Sequence, residues 1–181
     1  MDINTGHMTK LLTLPQRSQA LPDMPGQNSH FLYPSIITSP TVPSQFVALD
    51  VDIAVIFDVQ QKQVLNRLGS DDPATQKSYV FTEWSLDPLC PQMSQLAWSP
   101  DGRYLAGAYM SSPQIFVWDL QDAAAKKTKD GLQLPALTFG KTGGHASGEC
   151  IIDLSWSPHG RYLASGASDG TVIIWKVDQA A

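Results

Sequence analysis

The sequence has few of the features that mark secreted, membrane-bound or nucleic-acid-binding proteins. Its two cysteines, Cys90 and Cys150, lie far apart and outside any CxxC pair, which favours two thiols in a reducing compartment over a disulfide framework. No run of about 18 apolar residues predicts a membrane span, and the first residues lack the basic head and apolar stretch of a signal peptide. A net charge of -5 gives no electrostatic case for nucleic acid. We therefore expect a soluble cytoplasmic protein without a membrane or nucleic-acid partner.

Patterns for metals and nucleotides are also missing. The four histidines are scattered, and Cys150, five residues after His145, has no second pair that would complete a zinc spacing. Gly143-Gly144 lacks the GxxxxGK[ST] arrangement of a phosphate-binding loop. We predict no cofactor and no metal site.

Turn-forming residues are abundant. The chain holds 13 glycines and 13 prolines in 181 residues, which favours short strands joined by turns over long helices. A hydrophobic content of 43% is enough for one compact domain with a sizeable core.

An internal repeat is plain in the second half. Leu96–Ala106 reads LAWSPDGRYLA and Leu154–Ala164 reads LSWSPHGRYLA, with nine of eleven positions identical at an offset of 58 residues. The same offset leads from Tyr104 back to Phe46 and forward to Tyr162. A second aromatic anchor follows each of these positions: Ile56-Phe57-Asp58-Val59, Val117-Trp118-Asp119-Leu120 and Ile174-Trp175-Lys176-Val177. We predict three repeats, the first of them degenerate.

Each repeat reads as short strands. Ser99-Pro100-Asp101-Gly102 predicts a turn, because proline presets φ and glycine tolerates positive φ. Asp169-Gly170 predicts a tight hairpin before Val172–Trp175. Three segments are candidates for outer or additional strands: Val64–Leu68, Leu132–Phe139 and Tyr79–Trp84. The insertion at 121–131 (DAAAKKTKD at its centre) is expected to be a solvated loop, with a basic docking site as the alternative.

These motifs resemble the WD-repeat family of β-propellers. The third repeat keeps a Gly-His step and WSPHGRYLASGASDGTVIIW, and the second keeps WSPDGRYLAGA and the Trp118-Asp119 pair. The resemblance is specific over residues 92–177 and weak over 30–68. It implies an all-β fold of about three four-stranded antiparallel blades in an incomplete ring. Blade anchors would be Trp98, Trp118, Asp119 and Trp156.

The resemblance also implies a structural network in the third repeat. Its members would be His145, Ser165, Asp169 and Trp175, which would satisfy polar groups near the blade turns. The second repeat departs from the pattern, since Ser111-Ser112-Pro113-Gln114 replaces the Asp-Gly turn and no Gly-His step precedes Trp98. In the third repeat, Lys176 replaces the aspartate that would follow Trp175. We expect those blades to be less rigid or differently stapled.

Sharper functional interpretations compete with this structural one. His145, Ser165 and Asp169 have the residue types of a hydrolase triad, but no GxSxG surrounds the serine. The repeat tryptophans could stack nucleic-acid bases, although their strand positions favour packing against neighbouring blades. Trp84 lies outside the repeat pattern and is a candidate contact residue.

The repeats divide the chain into four segments. Residues 1–26 would be a strand completing a blade or the remnant of a preceding one, with Thr9–Leu14 as the candidate strand. Residues 27–91 would form the degenerate blade plus a linker, 92–140 a blade with the insertion, and 141–181 a blade lacking its own outer strand. Because propellers have four to eight blades, either the chain is part of a longer propeller or several chains complete one ring.

The leading functional hypothesis is a non-enzymatic scaffold that binds proteins or peptides, because propeller loops vary on a rigid frame. One alternative is an enzyme-associated propeller of the peptidase type. Another is a regulatory domain split from a larger chain, such as a kinase-linked sensor.

Overall fold

Three antiparallel sheets make up the described part of the chain. The computed structural model describes residues 36–50, 53–71, 93–109, 112–141, 143–147 and 149–177. The strands of these residues are β1 (Ile36–Thr38), β2 (Gln45–Asp50), β3 (Ile53–Asp58), β4 (Gln63–Leu68), β5 (Met93–Trp98), β6 (Tyr104–Tyr109), β7 (Ile115–Asp119), β8 (Leu137–Phe139), β9 (Ile151–Trp156), β10 (Tyr162–Ala167) and β11 (Val172–Lys176). The predicted all-β class is confirmed.

Each sheet is one blade, and its strands follow one another in chain order. Blade 1 holds β1 to β4, blade 2 holds β5 to β8, and blade 3 holds β9 to β11 in the order β11-β10-β9. The strands fall within the predicted segments 27–91, 92–140 and 141–181. The strand predictions at Thr9–Leu14 and Tyr79–Trp84, together with Cys90, lie outside the described residues.

The predicted turn between the first two strands of a blade is confirmed in blades 2 and 3. The Ser99 N–H donates to the Tyr104 carbonyl oxygen at 2.8 Å and the Gly102 N–H to the Ser99 carbonyl oxygen at 2.9 Å. Blade 3 repeats both bonds at equivalent residues. Gly102 has φ 74°, a conformation that glycine adopts without steric cost.

The register of blade 1 corrects one prediction. Phe46 does not occupy the position of Tyr104 and Tyr162. The bond that closes the turn in blade 1 runs from the Ser39 N–H to the carbonyl oxygen of Gln45, one residue before Phe46, at 2.9 Å. The turn of blade 1 has one residue more than the turns of blades 2 and 3. The alignment of Phe46 with Tyr104 by the 58-residue offset is therefore shifted by one residue. Successive strand residues face opposite sides of a sheet. Val47 therefore packs into the interface with blade 2.

Two apolar interfaces hold the blades together. The first, between blades 1 and 2, contains Val47, Leu49, Ala54, Ile56, Leu68, Leu96, Leu105, Tyr109, Phe116 and Trp118. The second, between blades 2 and 3, contains Tyr104, Ala106, Ala108, Ile115, Val117, Ile151, Leu154, Leu163 and Val177. Both faces of blade 2 are covered, and every residue of β6 and β7 is buried. The near-continuous apolar pattern of these strands follows from that burial.

Two tryptophans link their blade to the preceding one both by buried apolar packing and by a hydrogen bond. The Trp118 indole donates to the Gly69 carbonyl oxygen in blade 1 at 3.0 Å. The Trp156 indole donates to the Ala97 carbonyl oxygen in blade 2 at 3.0 Å and stacks on Tyr104 with ring centroids 6.1 Å apart. Buried indole N–H groups need such partners.

The other two repeat tryptophans also face the preceding blade. Trp98 packs against the interface of blades 1 and 2, and its indole bonds the Gly102 carbonyl oxygen of its own blade at 3.1 Å. Trp175 stacks on Phe139 of β8 with centroids 5.3 Å apart. All four rings thus lie between neighbouring blades.

The insertion at 121–131 is largely exposed, as its composition predicts. Its lysines are exposed, but the segment that follows runs back to blade 1, so the predicted strand Leu132–Phe139 shrinks to Leu137–Phe139. Gln133, 3% exposed, bonds Arg67 and Gly69 through its backbone, at 2.8 Å and 3.1 Å. Its side chain donates to the Asp119 carbonyl oxygen at 2.7 Å and accepts from Asn66. We call this arrangement the Gln133 clasp.

Gly140, at the exit of β8, should resist substitution. Its φ is 82°, and a methyl carbon built on it would lie 2.8 Å from the Pro113 carbonyl oxygen. Gly131 has nearly the same φ, 79°, with nothing within 4 Å. We expect Gly131→Ala to cost about 1–2 kcal/mol for the left-handed backbone, and Gly140→Ala about 1–3 kcal/mol more for the clash. Urea unfolding of the two variants tests this, and equal losses would contradict it.

Candidate functional site

The four residues of the predicted network lie together at one end of blade 3. His145 comes from the loop between β8 and β9, Ser165 from β10, Asp169 from the β10–β11 turn and Trp175 from β11. Antiparallel pairing of β10 with β11 brings the last three close in space. A fifth side chain, Thr171, joins them.

The hydrogen bonds of this network define one direction of proton donation. The Trp175 indole N–H donates to Ser165 Oγ at 2.8 Å, and Thr171 Oγ1 donates to Asp169 Oδ1 at 2.6 Å. Thr171 Oγ1 therefore accepts from His145 Nδ1, 2.8 Å away. His145 Nε2 is then the acceptor of the Ser165 hydroxyl, at 2.7 Å. This order of donors and acceptors fits the histidine tautomer that carries its proton on Nδ1.

The Asp169 carboxylate ends this chain and also fixes the histidine loop. Oδ2 accepts the Ala146 N–H at 2.9 Å, and Oδ1 accepts the Thr171 N–H at 2.9 Å. Bonds from the Thr171 hydroxyl, the Ala146 N–H and the Thr171 N–H lower the pKa of Asp169 to about 2. The carboxylate thus joins the hairpin turn to the loop that enters blade 3.

Acid should loosen this end of blade 3. Because the folded pKa of Asp169, about 2, lies below its usual 3.8, its stabilising contribution is present above pH 3.8 and is lost as the pH falls through 2. We expect the wild-type Tm to fall between pH 4 and 2. Asp169→Asn should make the fall of Tm with pH shallower. It should not abolish the fall, because the Gln61 N–H lowers the pKa of Asp58, which contributes its own pH dependence. Parallel Tm curves would contradict the assignment.

The network resembles a catalytic triad in composition but not in accessibility. Ser165 is 1% exposed and the His145 side chain 0% exposed. Ser165 Oγ is engaged by both His145 and Trp175, and Thr171 stands between the imidazole and the carboxylate, which are 3.6 Å apart. A substrate could reach the serine only if the blade opened. The arrangement suits a structural staple better than a nucleophile.

Blade 2 lacks this network and uses other bonds. Gly107 occupies the position of Ser165, as the strand registers show, so the Trp118 indole has no serine in its own blade and bonds blade 1 instead. Gln114 occupies the position of Thr171, and its buried Oε1 has no hydrogen-bond partner. Blade 2 is thus held together by other bonds than blade 3.

Asp119 is the staple of blade 2. Arg103 Nε and Nη2 both donate to Asp119 Oδ2, at 3.1 Å and 2.8 Å. The guanidinium carbon lies 4.9 Å from the Tyr104 ring centroid. The bond with Asp119 raises the pKa of Arg103. In blade 1, Asp58 takes the same position and Ser44 donates to it at 2.9 Å.

Sequence reasoning missed two members of these sites. Thr171 was not assigned to the network, although its position directly after the Asp-Gly turn was the available signal. Gln133 carried no local signal, because its partners lie in another blade. Trp84 lies outside the described residues.

The described ranges contain no group of three or more His, Cys, Asp or Glu side chains that could hold a metal ion. Nor does this part of the chain contain a helix with the length and apolar character required to cross a membrane.

The stacked antiparallel sheets, joined through aromatic faces, define the chain as a set of β-propeller blades. Residues 90–119 and 137–176 match the family model described as WD domain, G-beta repeat. The WD-repeat resemblance predicted from the sequence is thus confirmed over these two segments.

Several curated proteins are similar to about half of the chain. Protein LST8 homolog of Drosophila melanogaster is 34% identical over 88 residues, 48% of this chain and 25% of that protein. Small ribosomal subunit protein RACK1 of the same organism is 34% identical over 89 residues, 49% of this chain and 26% of that protein. WD repeat-containing protein VIP3 of Arabidopsis thaliana is 30% identical over 86 residues, 47% of this chain and 26% of that protein. The match thus spans about a quarter of each relative.

Proposed function

We propose that the chain is a non-enzymatic scaffold that binds other proteins. The observation that carries the proposal is an apolar strip on the face of blade 3 that points away from blade 2. Its members are Ile152, 59% exposed, Tyr162, 46% exposed, Val172, 72% exposed, and Ile174, 61% exposed. Contiguous exposed apolar side chains mark protein contact surfaces.

The frame behind this strip suits a binding role. The other side of blade 3 is fixed by the network around His145 and by the stacking of Trp156 and Trp175 on blade 2. A partner therefore meets a preorganised surface and loses little conformational entropy in ordering it. One name among the relatives points the same way, since a small ribosomal subunit protein is part of an assembly.

The proposal places the protein in the cytoplasm. The sequence has only two cysteines, far apart and outside any CxxC pair, which suits a reducing compartment. Burial raises the pKa of the Cys150 thiol, so it is a poor nucleophile.

Site-specific photo-crosslinking tests the scaffold role. A photo-reactive amino acid at position 174 should give adducts with a different protein at physiological salt, whereas one at position 65 on β4, 39% exposed as leucine, should give fewer. Equal yields from the two positions, or adducts between copies of the chain alone, would contradict a scaffold that uses this strip.

A further inference from the structure

The insertion of blade 2 and the segment after it form a β-hairpin, which we call the 126–134 hairpin. Two backbone bonds close it, from the Leu134 N–H to the Lys126 carbonyl oxygen and from the Thr128 N–H to the Leu132 carbonyl oxygen, both at 2.8 Å. This is the bonding pattern of an antiparallel pair of strands. The insertion therefore ends in regular β-structure.

The 126–134 hairpin extends the sheet of blade 1 beyond its outermost strand. The Gln133 N–H donates to the Arg67 carbonyl oxygen at 2.8 Å, and the Gln133 carbonyl oxygen accepts from the Gly69 N–H at 3.1 Å. β4 is the last strand in the order β1-β2-β3-β4, so the hairpin lies at the edge of that sheet. Blades pack through the faces of their sheets, as the two apolar interfaces show. A further blade packed on either face would leave this edge uncovered.

Lys127 carries the free edge of the 126–134 hairpin. It lies opposite Gln133, and the bonds on either side of it belong to Lys126 and Thr128. In an antiparallel pair of this kind, the N–H and the carbonyl oxygen of the middle residue point to the opposite edge. Within the described residues, neither of these two groups of Lys127 forms a hydrogen bond. The edge thus offers a further strand one donor and one acceptor, the same two groups with which Gln133 holds blade 1.

Three lysines surround this edge. Lys126, Lys127 and Lys129 are exposed, and none of them forms an ion pair with another described residue. Because successive strand residues point to opposite faces, the first two place ammonium groups on both sides of the edge. The three ammonium groups outnumber the two carboxylates of the insertion, Asp122 and Asp130. The edge therefore combines unpaired backbone groups with unpaired positive charge.

We propose that the free edge of the 126–134 hairpin binds an extended acidic segment of a partner protein, which adds to it as a further strand. The proposal rests on the scaffold role above and gives it a second contact surface. In strand addition the backbone supplies affinity and the side chains supply specificity. The free N–H and carbonyl oxygen of Lys127 select a polypeptide, because nucleic acids and lipid surfaces have no matching pair of amide groups. The lysines select acidic side chains by charge complementarity.

Consecutive acidic residues suit this edge better than isolated ones. Neighbouring residues of an extended segment project to opposite faces, so two adjacent glutamates would meet Lys126 on one face and Lys127 on the other. Lysines at an exposed edge also discourage pairing between two copies of the chain, because like charges repel. The same charges that oppose self-association thus admit an acidic strand.

A short, capped, fluorescein-labelled oligoglutamate peptide is the probe, and the oligoglutamine peptide of the same length is the matched control. Fluorescence anisotropy with the full chain should show binding of the oligoglutamate peptide alone. A variant with Lys126→Gln, Lys127→Gln and Lys129→Gln together should bind it about tenfold more weakly, as expected for the loss of several exposed ion pairs.

The control variant removes the same amount of charge from other places. It combines Lys62→Gln, Lys141→Gln and Arg161→Gln, three exposed cations outside the hairpin. Since charges more than about 10 Å away are largely screened at ordinary ionic strength, its affinity for the peptide should change less than about twofold. Equal losses in the two triple variants would mean that the peptide responds to net charge and that the hairpin is not its site.

The backbone separates strand addition from charge attraction. Lys127→Pro removes the N–H of the free edge, and proline is tolerated where a strand N–H faces solvent. It should bind the oligoglutamate peptide about fivefold more weakly than Lys127→Gln, as expected for the loss of one hydrogen bond. An oligoglutamate peptide that is N-methylated at every internal residue keeps its charges and should bind the wild-type chain more weakly by at least as much. This second measurement stands even if Lys127→Pro lowers the Tm.

The proposed surface is wrong if the oligoglutamate peptide does not bind, if oligoglutamine binds equally, or if the N-methylated peptide binds as well as its parent. Equal binding of a uridine homopolymer would make the lysines a site for anions in general. Self-association of the chain that Lys127→Pro abolishes would assign the edge to a second copy. Each of these results overturns the acidic strand but leaves the crosslinking test at position 174 standing, so the scaffold role fails or survives separately.

Discussion

Replacing Trp118 by alanine is expected to lower the free energy of unfolding by about 3–5 kcal/mol, the range for removing a large buried aromatic side chain. Trp118 is 0% exposed and sits in the interface of blades 1 and 2, with its ring centroid 6.4 Å from that of Phe116. The substitution leaves a cavity between blades 1 and 2. The two sheets cannot close this cavity without breaking the hydrogen bonds of the Gln133 clasp. It also leaves the Gly69 carbonyl oxygen without the indole N–H. Urea unfolding followed by fluorescence measures the loss.

Two matched variants divide this loss into its parts. Trp118→Phe keeps most of the ring area but removes the donor to Gly69, so it should cost about 1–3 kcal/mol, the range for a buried group left unpaired. Tyr162→Ala removes an aromatic ring from an exposed position and should change stability by less than about 0.5 kcal/mol. A Trp118→Ala loss as small as that of Tyr162→Ala would contradict the interface described here.

The second large effect is expected at Ser165. Alanine there removes the hydroxyl that is hydrogen-bonded to His145 Nε2 at 2.7 Å and accepts the Trp175 indole N–H at 2.8 Å. Since each buried polar group left unpaired costs about 1–3 kcal/mol, Ser165→Ala should lower the free energy of unfolding by about 2–4 kcal/mol. The change in side-chain volume is one oxygen atom, so packing contributes little.

Ser155→Ala is the control for this variant, because Ser155 lies exposed on the adjacent strand β9. A double-mutant cycle of Ser165→Ala with His145→Phe should show strong coupling, as expected for residues of one network. Additive losses would mean that the two side chains act independently, and the directional chain of hydrogen bonds would then have no energetic importance.

The parts of this fold that the sequence predicts are those with local causes. The turn at Ser99–Gly102 follows from proline and glycine at fixed positions, and the motif that predicts it recurs with nine of eleven residues unchanged. The tryptophan positions follow from strand periodicity. Resemblance to the repeat family therefore required no structure.

The parts that it misses have non-local causes. Gln45 rather than Phe46 matches Tyr104 because a single extra residue in a degenerate turn shifts the count, and apolar residues on both faces of β2 hide the shift. The polar composition of the insertion gave no sign that Gln133 would pair with a strand 67 residues earlier. Thr171 has a signal, but its role depends on the tautomer that the histidine adopts.

Because of the Gln133 clasp, the sequence repeat and the hydrogen-bonded structural unit do not coincide in this protein. By sequence, blade 2 is one repeat that could be duplicated, excised or transplanted. By hydrogen bonding, it carries an arm that supplies the partners of Arg67 and Gly69 in blade 1. Separating the two blades at the repeat boundary would leave the Gln133 segment of blade 2 without its partners. It would also leave the strand edge of blade 1 unpaired. The smallest unit that recombination could move without breaking these hydrogen bonds is therefore the pair of blades 1 and 2.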